Sequence, residues 1–345
     1  MDLSHEAARR RRTIGYLLAG AGLLIAAWLG LSSGPARIPL GAVLEELLDR
    51  LPLLSVDSGL TERSAAIVWE LRVPRVILAG MVGGLLAVAG GAYQGVFRNP
   101  LADPFLLGVA SGAGLGATVA IVFGGAAGPG VIAPVAFLGG VTAVALAWGF
   151  SRTVGGRSGL TLILTGIAVA AFFTAVQTFI QQRSGEQARE VYSWILGSLS
   201  TSSWTDVAVL SPYLVVTAAI LLAVRRPLDV MAVGDEEAAS LGVRPDRIRT
   251  LVVIAATLGT AAAVSVSGLI GFVGIVVPHV VRLLTGATYR AILPLALLGG
   301  AAFLIVADLI ARVALSPGEL PIGVVTAFVG APFFAVVLRS SGRRP

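Results

Sequence analysis

Residues Val76–Val96 read VILAGMVGGLLAVAGGAYQGV, 21 residues without a single charge. A bilayer core asks for about 20 apolar residues per helix, because an unpaired peptide group in hydrocarbon costs several kcal/mol. Nine further apolar runs flank this one: Ile14–Leu31, Phe105–Phe123, Val131–Phe150, Leu160–Ile180, Val207–Val224, Ile248–Val266, Leu269–Leu284, Ala291–Leu315 and Ile322–Leu338. The chain is therefore expected to be an all-α polytopic membrane protein of about ten transmembrane helices. Residues 1–345 form one membrane domain in this reading. The eighth run is short and holds Gly271, Gly274 and Pro278, so it is expected to be broken or tilted.

Composition agrees. Only 13% of the residues are charged and 56% are hydrophobic, against about 25% charged in a soluble domain. A water-exposed globule, and with it a soluble receptor or scaffold, is excluded. The net charge is +6 and every basic residue is arginine. In a soluble chain that balance would suggest nucleic acid; here it reads as membrane orientation. Cysteine is absent and the only histidines are His5 and His279, so neither a thiolate site nor an imidazole metal cluster is expected. Arg9–Arg12 followed by Ile14–Leu31 resembles a secretory signal, but the run exceeds the roughly 7–15 residues of a signal core. It reads as an uncleaved first span after a short tail, 1–13.

Counting arginines orients the spans. With the N-terminus inside, inner segments hold 17 and outer segments hold 8, which places both termini in the cytoplasm. The longest outer loop, 32–75, carries Pro35, Pro39 and Pro52 and an amphipathic patch at Val43–Leu51, as a short helix on the outer face would. Trp194 and Trp204, in the loop after the fifth span, suit an interfacial aromatic belt.

One internal echo stands out. Pro134-Val-Ala-Phe-Leu-Gly139-Gly140 in the fourth span resembles Pro294-Leu-Ala-Leu-Leu-Gly299-Gly300 in the ninth. The offset of five spans would make the copies cross in opposite directions, an inverted repeat of the kind found in transporters. Glycines four apart (Gly80/Gly84, Gly91/Gly95, Gly108/Gly112/Gly116) provide faces on which helices approach closely. Polar residues within spans are few. Asp308 and Arg312 stand at i,i+4 and can pair. Gln177 and Gln181 recur at helical spacing and suit a water-lined path, while His279 reads as a satisfied core residue.

The chain has no lysine, so it carries no P-loop, and neither a Gly-x-Ser-x-Gly elbow nor a His-Glu-x-x-His pair occurs. No catalytic residues and no cofactor are expected. Any nucleotide that powers it binds another polypeptide. Within the inner loop 225–247, Gly234-Asp235-Glu236-Glu237-Ala238-Ala239-Ser240-Leu241-Gly242 predicts a two-turn helix. Asp235 suits an N-cap, Glu236 and Glu237 suit the positive end of the helix dipole, and Gly242 suits a left-handed stop. So short a helix needs a surface to pack on.

Four stretches resemble the permease subunits of ABC importers for iron-siderophores, haem and cobalamin. They are Leu71-Arg-Val-Pro-Arg75; Gln94-Gly-Val-Phe-Arg-Asn-Pro-Leu-Ala-Asp-Pro104 with Leu107-Gly-Val-Ala-Ser-Gly112; Gly271-Phe-Val-Gly-Ile-Val-Val-Pro-His-Val-Val-Arg282; and Ala307-Asp-Leu-Ile-Ala-Arg312 with Glu319-Leu-Pro-Ile-Gly-Val-Val-Thr326. The resemblance implies a cobalamin-permease-like (type II importer) fold in the cell membrane. It further implies a pore shared with a second permease subunit, identical or paralogous, two cytoplasmic ATPase subunits that bind ATP and magnesium, and an extracytoplasmic substrate-binding protein. Gly234–Gly242 falls where the family has its ATPase-coupling helix. Arg72, Arg75 and Arg312 fall where members meet acidic residues of the binding protein, and their number on an arginine-poor side fits such docking. Asn99 and Leu101 match the cytoplasmic gate segment. Its partner before the fifth span departs from the hydroxyl-rich form of the cobalamin permease, reading Ser158-Gly159-Leu160 here.

The expectation is thus a translocation subunit for a metal chelate, with a ferric siderophore or haem ahead of cobalamin. An ion-coupled secondary transporter is the alternative that the inverted echo alone would permit. Scarcity of buried carboxylates speaks against it, and no nucleophile or metal set supports an intramembrane enzyme.

Overall fold

The computed structural model describes residues 2–34, 36, 38–50, 58–124, 129–153 and 159–341. Pro35, Arg37, Leu51, Pro52, Arg157, Ser158, Arg343 and Arg344 lie outside the described residues.

Each of the ten apolar runs coincides with a helix: α1 (Asp2–Ser32), α4 (Val73–Val96), α5 (Val109–Phe123), α6 (Ile132–Thr153), α7 (Gly159–Gln182), α9 (Trp204–Ala223), α12 (Pro245–Ser267), α13 (Val273–Thr285), α14 (Tyr289–Val313) and α15 (Ile322–Ser341). By length and composition seven of these can cross a membrane, and α5, α13 and α15 are shorter apolar helices. Five short helices lie between them: α2 (Leu40–Asp49), α3 (Glu62–Ala66), α8 (Gln187–Ile195), α10 (Arg225–Met231) and α11 (Asp235–Ser240). Of these, α8 and α10 lie where the sequence reads only as loop.

Two helices form the centre. The span containing α4 is 89% buried and α12 is 72% buried, whereas α1, α7 and α9 keep most of their apolar surface outward. Lipid is as apolar as leucine, so close packing rather than hydrophobicity must hold the bundle together. Glycine supplies the approach. A methyl group on Gly83 would overlap the Gly300 carbonyl, and one on Gly112 would overlap that of Gly139.

The internal echo has a structural counterpart. Gly139 of α6 faces α5 and Gly299 of α14 faces α13; Gly140 lies against Val109 of α5 and then Ala261 of α12, and Gly300 faces Ala87 of α4. Among the spans, α5 and α13 stand five apart, as do α4 and α12. Gly139 and Gly299 therefore meet equivalent helices in the two halves, and Gly140 and Gly300 do so in part.

Departures from simple spans have local causes. The expected eighth span is helical only from Val273, after the non-helical stretch Gly268–Gly271. The third begins with a 3-10 turn, Pro104–Leu107, and Gly108 at φ 90° before α5 starts. The second extends outward, because helix is continuous over Glu62–Val96. Pro74 sits within that helix. Its missing N–H cannot serve the Glu70 carbonyl, and the chain widens into a π turn over Ile67–Arg72, where the Val73 N–H reaches Val68 O.

The amphipathic patch in the loop after α1 is indeed a helix, α2. It buries Val43 with Ile38, Val68 and Val73 in a small second core, bordered by Trp69 and Trp204. The two indoles lie 5.2 Å apart, and Trp204 Nε1 donates to Trp69 O at 3.1 Å.

Candidate functional site: two charged clusters at opposite ends of the bundle

The Leu71–Arg75 motif, the end of α1 and the end of α14 meet at one place. Arg75 donates to both oxygens of Asp308, at 2.8 Å from Nη2 and 3.2 Å from Nε. Its two Nη atoms also form a fork with Glu319, at 3.0 and 2.9 Å. Asp308 is shared, because Arg312 Nε stands 3.1 Å from its other oxygen. The pair expected at i,i+4 thus exists, inside a larger network.

Arg72 and Arg312 do something the sequence did not suggest. Arg72 donates to Leu31 O at 2.8 Å, to Ser32 O at 3.3 Å and to Ala36 O. Arg312 donates to Gly30 O at 3.1 Å and Ser33 O at 3.3 Å. The last carbonyls of a helix have no partner within it and form the negative end of its dipole. These two guanidiniums cap the C-terminus of α1. Their exposure is 5% for Arg72 and 4% for Arg312. Of the three arginines read as docking cations, only Arg75 stands beside an accessible group, Glu319. The other two are engaged inside the protein, on the chain's own carbonyls.

The second cluster lies at the other end of α4. Arg75 and Arg98 are separated by 23 residues of largely helical chain, about 35 Å. Arg98, held at φ 47° just past α4, reaches Asp235 at 3.5 Å. Arg249 of α12 reaches the same carboxylate at 3.0 Å and Asp246 also at 3.0 Å. Here the expected capping role is corrected. Gly234, not Asp235, takes the N-cap position, because the Asp235 carboxylate turns toward the two arginines. Glu236 and Glu237 fill the first turn as expected. Gly242 adopts φ 84° and its N–H closes on Ala239 O, ending the helix. Ala238 is buried, while Val233 and Leu241 are 73% and 72% exposed. One side of α11 rests on the bundle and the flanks present apolar side chains outward.

The residues read as a gate divide between the two ends. Asn99 forms a tight turn, its Oδ1 accepting from the Leu101 N–H at 3.0 Å. Gly159 abuts the Phe97 ring, where a methyl would stand 2.9 Å from it. Asn99, Leu101, Gly159 and the exposed Leu160 thus gather beside Arg98 and α11. Gln177 and Gln181 do not join them. Gln177 lies 18 residues along α7, about 27 Å away, buried against Gly114. Between these levels Asp103 accepts from the Phe105 N–H at 2.8 Å and borders an otherwise mostly apolar cleft of about 520 Å³ with Ile167, Ala170 and Thr174. His279 lies edge-on to Phe333, ring centroids 5.7 Å apart, and is half-buried rather than a core residue.

Three side chains that join helices escaped the sequence reading: Arg98, Asp229 and Gln94. Arg98 and Gln94 lie inside a quoted motif, which was the available signal. Asp229 of α10 accepts from the Tyr289 N–H and, at 3.0 Å, from Arg290 Nε; nothing local marks it.

The sequence model of the FecCD transport family matches residues 22–340. The chain is 43% identical over 281 residues to the cobalamin import system permease protein BtuC of Halobacterium salinarum, covering 81% of this chain and 75% of that one. It is 38% identical to the hemin transport system permease protein HmuU of Yersinia pestis, over 89% and 97% of the two chains. Among solved structures, an inward-facing metal-chelate type ABC transporter superposes with a TM-score of 0.82 at 31% identity, over 95% of this chain and 99% of that one.

Proposed function

The chain belongs to the FecCD transport family, and on that premise we propose that it is the translocation subunit of an ATP-driven importer of a metal chelate, coupled to partners at both ends of its bundle. It is a multi-pass membrane protein of a family whose relatives are transport permeases. An ATPase subunit docks on α10–α11, on the cytoplasmic side. The observation that carries this is the construction of α11: a two-turn helix pinned by Asp235 to α4 and α12, with Val233 and Leu241 projecting from its flanks. A helix too short to be stable alone is held in place, and its apolar flanks are left exposed by the described residues.

At the opposite end the extracytoplasmic binding protein docks over Arg75 and Glu319. Arg72 and Arg312 hold that rim from beneath by capping α1. A second permease subunit packs along α7 and α15, where Phe172 and Phe328 stand exposed beside clefts of about 400 and 580 Å³. Nucleotide binding at the ATPase favours one arrangement of α10–α11 over another, and the spans follow by alternating access. The cargo is a chelate of the haem, siderophore or cobalamin type.

The experiment is reconstitution of the chain with its ATPase and binding protein in proteoliposomes. Uptake of haemin, a ferric hydroxamate and cyanocobalamin is then measured with and without ATP. ATP-dependent uptake of one of them is expected. Uptake driven by a proton or sodium gradient, with no ATPase bound, would refute the reading.

A further inference from the structure

Pro278 stands inside α13. Its ring nitrogen carries no hydrogen, so the Gly274 carbonyl one turn earlier loses its helical partner. At this depth an unpaired carbonyl is costly. The gap is filled from another helix: Gln94 Nε2 of α4 donates to Gly274 O at 3.1 Å. Gln94 is 1% exposed. One turn before it, Gly90 and Gly91 make the approach possible. A methyl on Gly90 would overlap the Gly274 backbone, and one on Gly91 would stand 3.6 Å from Pro278.

The other end of the same amide is also held. Gln94 Oε1 accepts from Arg282 Nη2 at 3.1 Å. Arg282 lies in the last turn of α13, four residues past the proline, and its side chain points back along the helix as helical side chains do. The same Nη2 stands 3.4 Å from the Tyr289 hydroxyl. Tyr289 opens α14, and its backbone N–H is held by Asp229 of α10. Tyr289 thus meets α10 through its backbone N–H and Arg282 through its hydroxyl, and Arg282 holds the amide that serves the proline turn of α13. Beyond that turn the chain is non-helical over Gly268–Gly271, so the start of α13 is not supported by a preceding helix.

Elsewhere the chain treats a helical proline differently. Pro294 frees the Arg290 carbonyl, which receives only the Tyr16 hydroxyl at 3.5 Å in an exposed setting. A buried glutamine, gripped at both ends of its amide, is a more specific device than packing requires.

We propose that Gln94 is a positioning residue, a latch that holds the proline turn of α13 and is released through Arg282, Tyr289 and Asp229 when α10 moves. The proposal rests on α10–α11 being the element that an ATPase displaces. Drawing Asp229 away from α14 shifts Tyr289 and Arg282, Gln94 loses its acceptor contact, and α13 bends about Pro278. Because the chain contains no cysteine, the movement can be read with spin labels introduced at Leu284→Cys on α13 and Val119→Cys on α5.

The test uses the full complex with ATPase and binding protein in nanodiscs and proteoliposomes. The wild-type label distance is expected to change between nucleotide-free and ATP-vanadate states. In Gln94→Leu that change is lost and uptake per ATP hydrolysed falls about five-fold or more, while ATP hydrolysis continues. Gln94→Glu keeps an acceptor for Arg282 but has no donor for Gly274, so it shows the same loss. Pro278→Ala restores the helical N–H; it raises or preserves the melting temperature yet lowers uptake per ATP, whereas a proline with only a structural role would leave uptake unchanged. Should Gln94→Leu fail to assemble, the other two variants decide. Normal wild-type uptake with coupling kept within about two-fold in these variants overturns the latch alone. Absence of ATP-dependent uptake of haemin, ferric hydroxamate and cyanocobalamin by the wild-type complex overturns the transport reading, and the latch with it.

Discussion

The two ends of α4 are built from the same residue types to opposite effect. At the Arg72 end, three arginines, Asp308 and the carbonyls of α1 engage one another, and Asp308 is 1% exposed. At the α11 end, the shared carboxylate is Asp235, whose side chain is 38% exposed, and the arginine opposite it, Arg98, is 45% exposed. Buried ion networks resist rearrangement, because removing one member strands another without solvent. Half-exposed pairs exchange with water at little cost. The first end is an anchor that holds α1, α4 and α14 in fixed relation. The second is a joint, and it is the end where a moving partner can be served.

That contrast can be broken experimentally. The largest effect is expected from Asp308→Ala, which leaves Arg75 and Arg312 without their buried counter-ion; a loss of about 3–5 kcal/mol should appear as early thermal unfolding in detergent. An unaltered melting curve would mean that the anchor is no anchor. Next comes Arg72→Met, which leaves the Leu31, Ser32 and Ala36 carbonyls bare at a cost of about 2 kcal/mol; α1 should then become the first segment to exchange its amide hydrogens. At the joint, Leu241→Asp is expected to change stability by no more than about 0.5 kcal/mol while weakening ATPase binding about ten-fold, measured by titration of the purified subunits. Equal loss of fold and of binding there would erase the distinction between the ends. The smallest effect belongs to Asp235→Asn, below about 1 kcal/mol. Added salt should reproduce it in the wild type, since partly exposed pairs are screened.

The arginines also show where sequence reading succeeds and where it stops. Arg72, Arg75 and Arg312 were correctly gathered to one place by their motifs. Their role as exposed cations did not follow, because the α1 carbonyls that engage two of them are 41 and 282 residues away. In contrast, Gly242 announced its left-handed turn locally, and α11 ends where it predicts. Asp235 lies between these cases. Its helix was legible, but the choice between capping that helix and pairing with Arg249 depends on where α12 stands.

Gln94 and Pro278 mark the same boundary from the other side. That Pro278 must weaken the eighth span is plain from the sequence, since the missing N–H is a property of the residue itself. That Gln94, 180 positions from Gly274, repairs the break requires α4 and α13 to touch at Gly90. The number and positions of the ten apolar runs were determined by the sequence alone, because the cost of unpaired backbone in hydrocarbon is met residue by residue within each span. Which guanidinium caps which helix, and which amide completes a broken turn, only the tertiary structure decided: a hydrogen bond exists only between groups that packing has brought within about 3 Å.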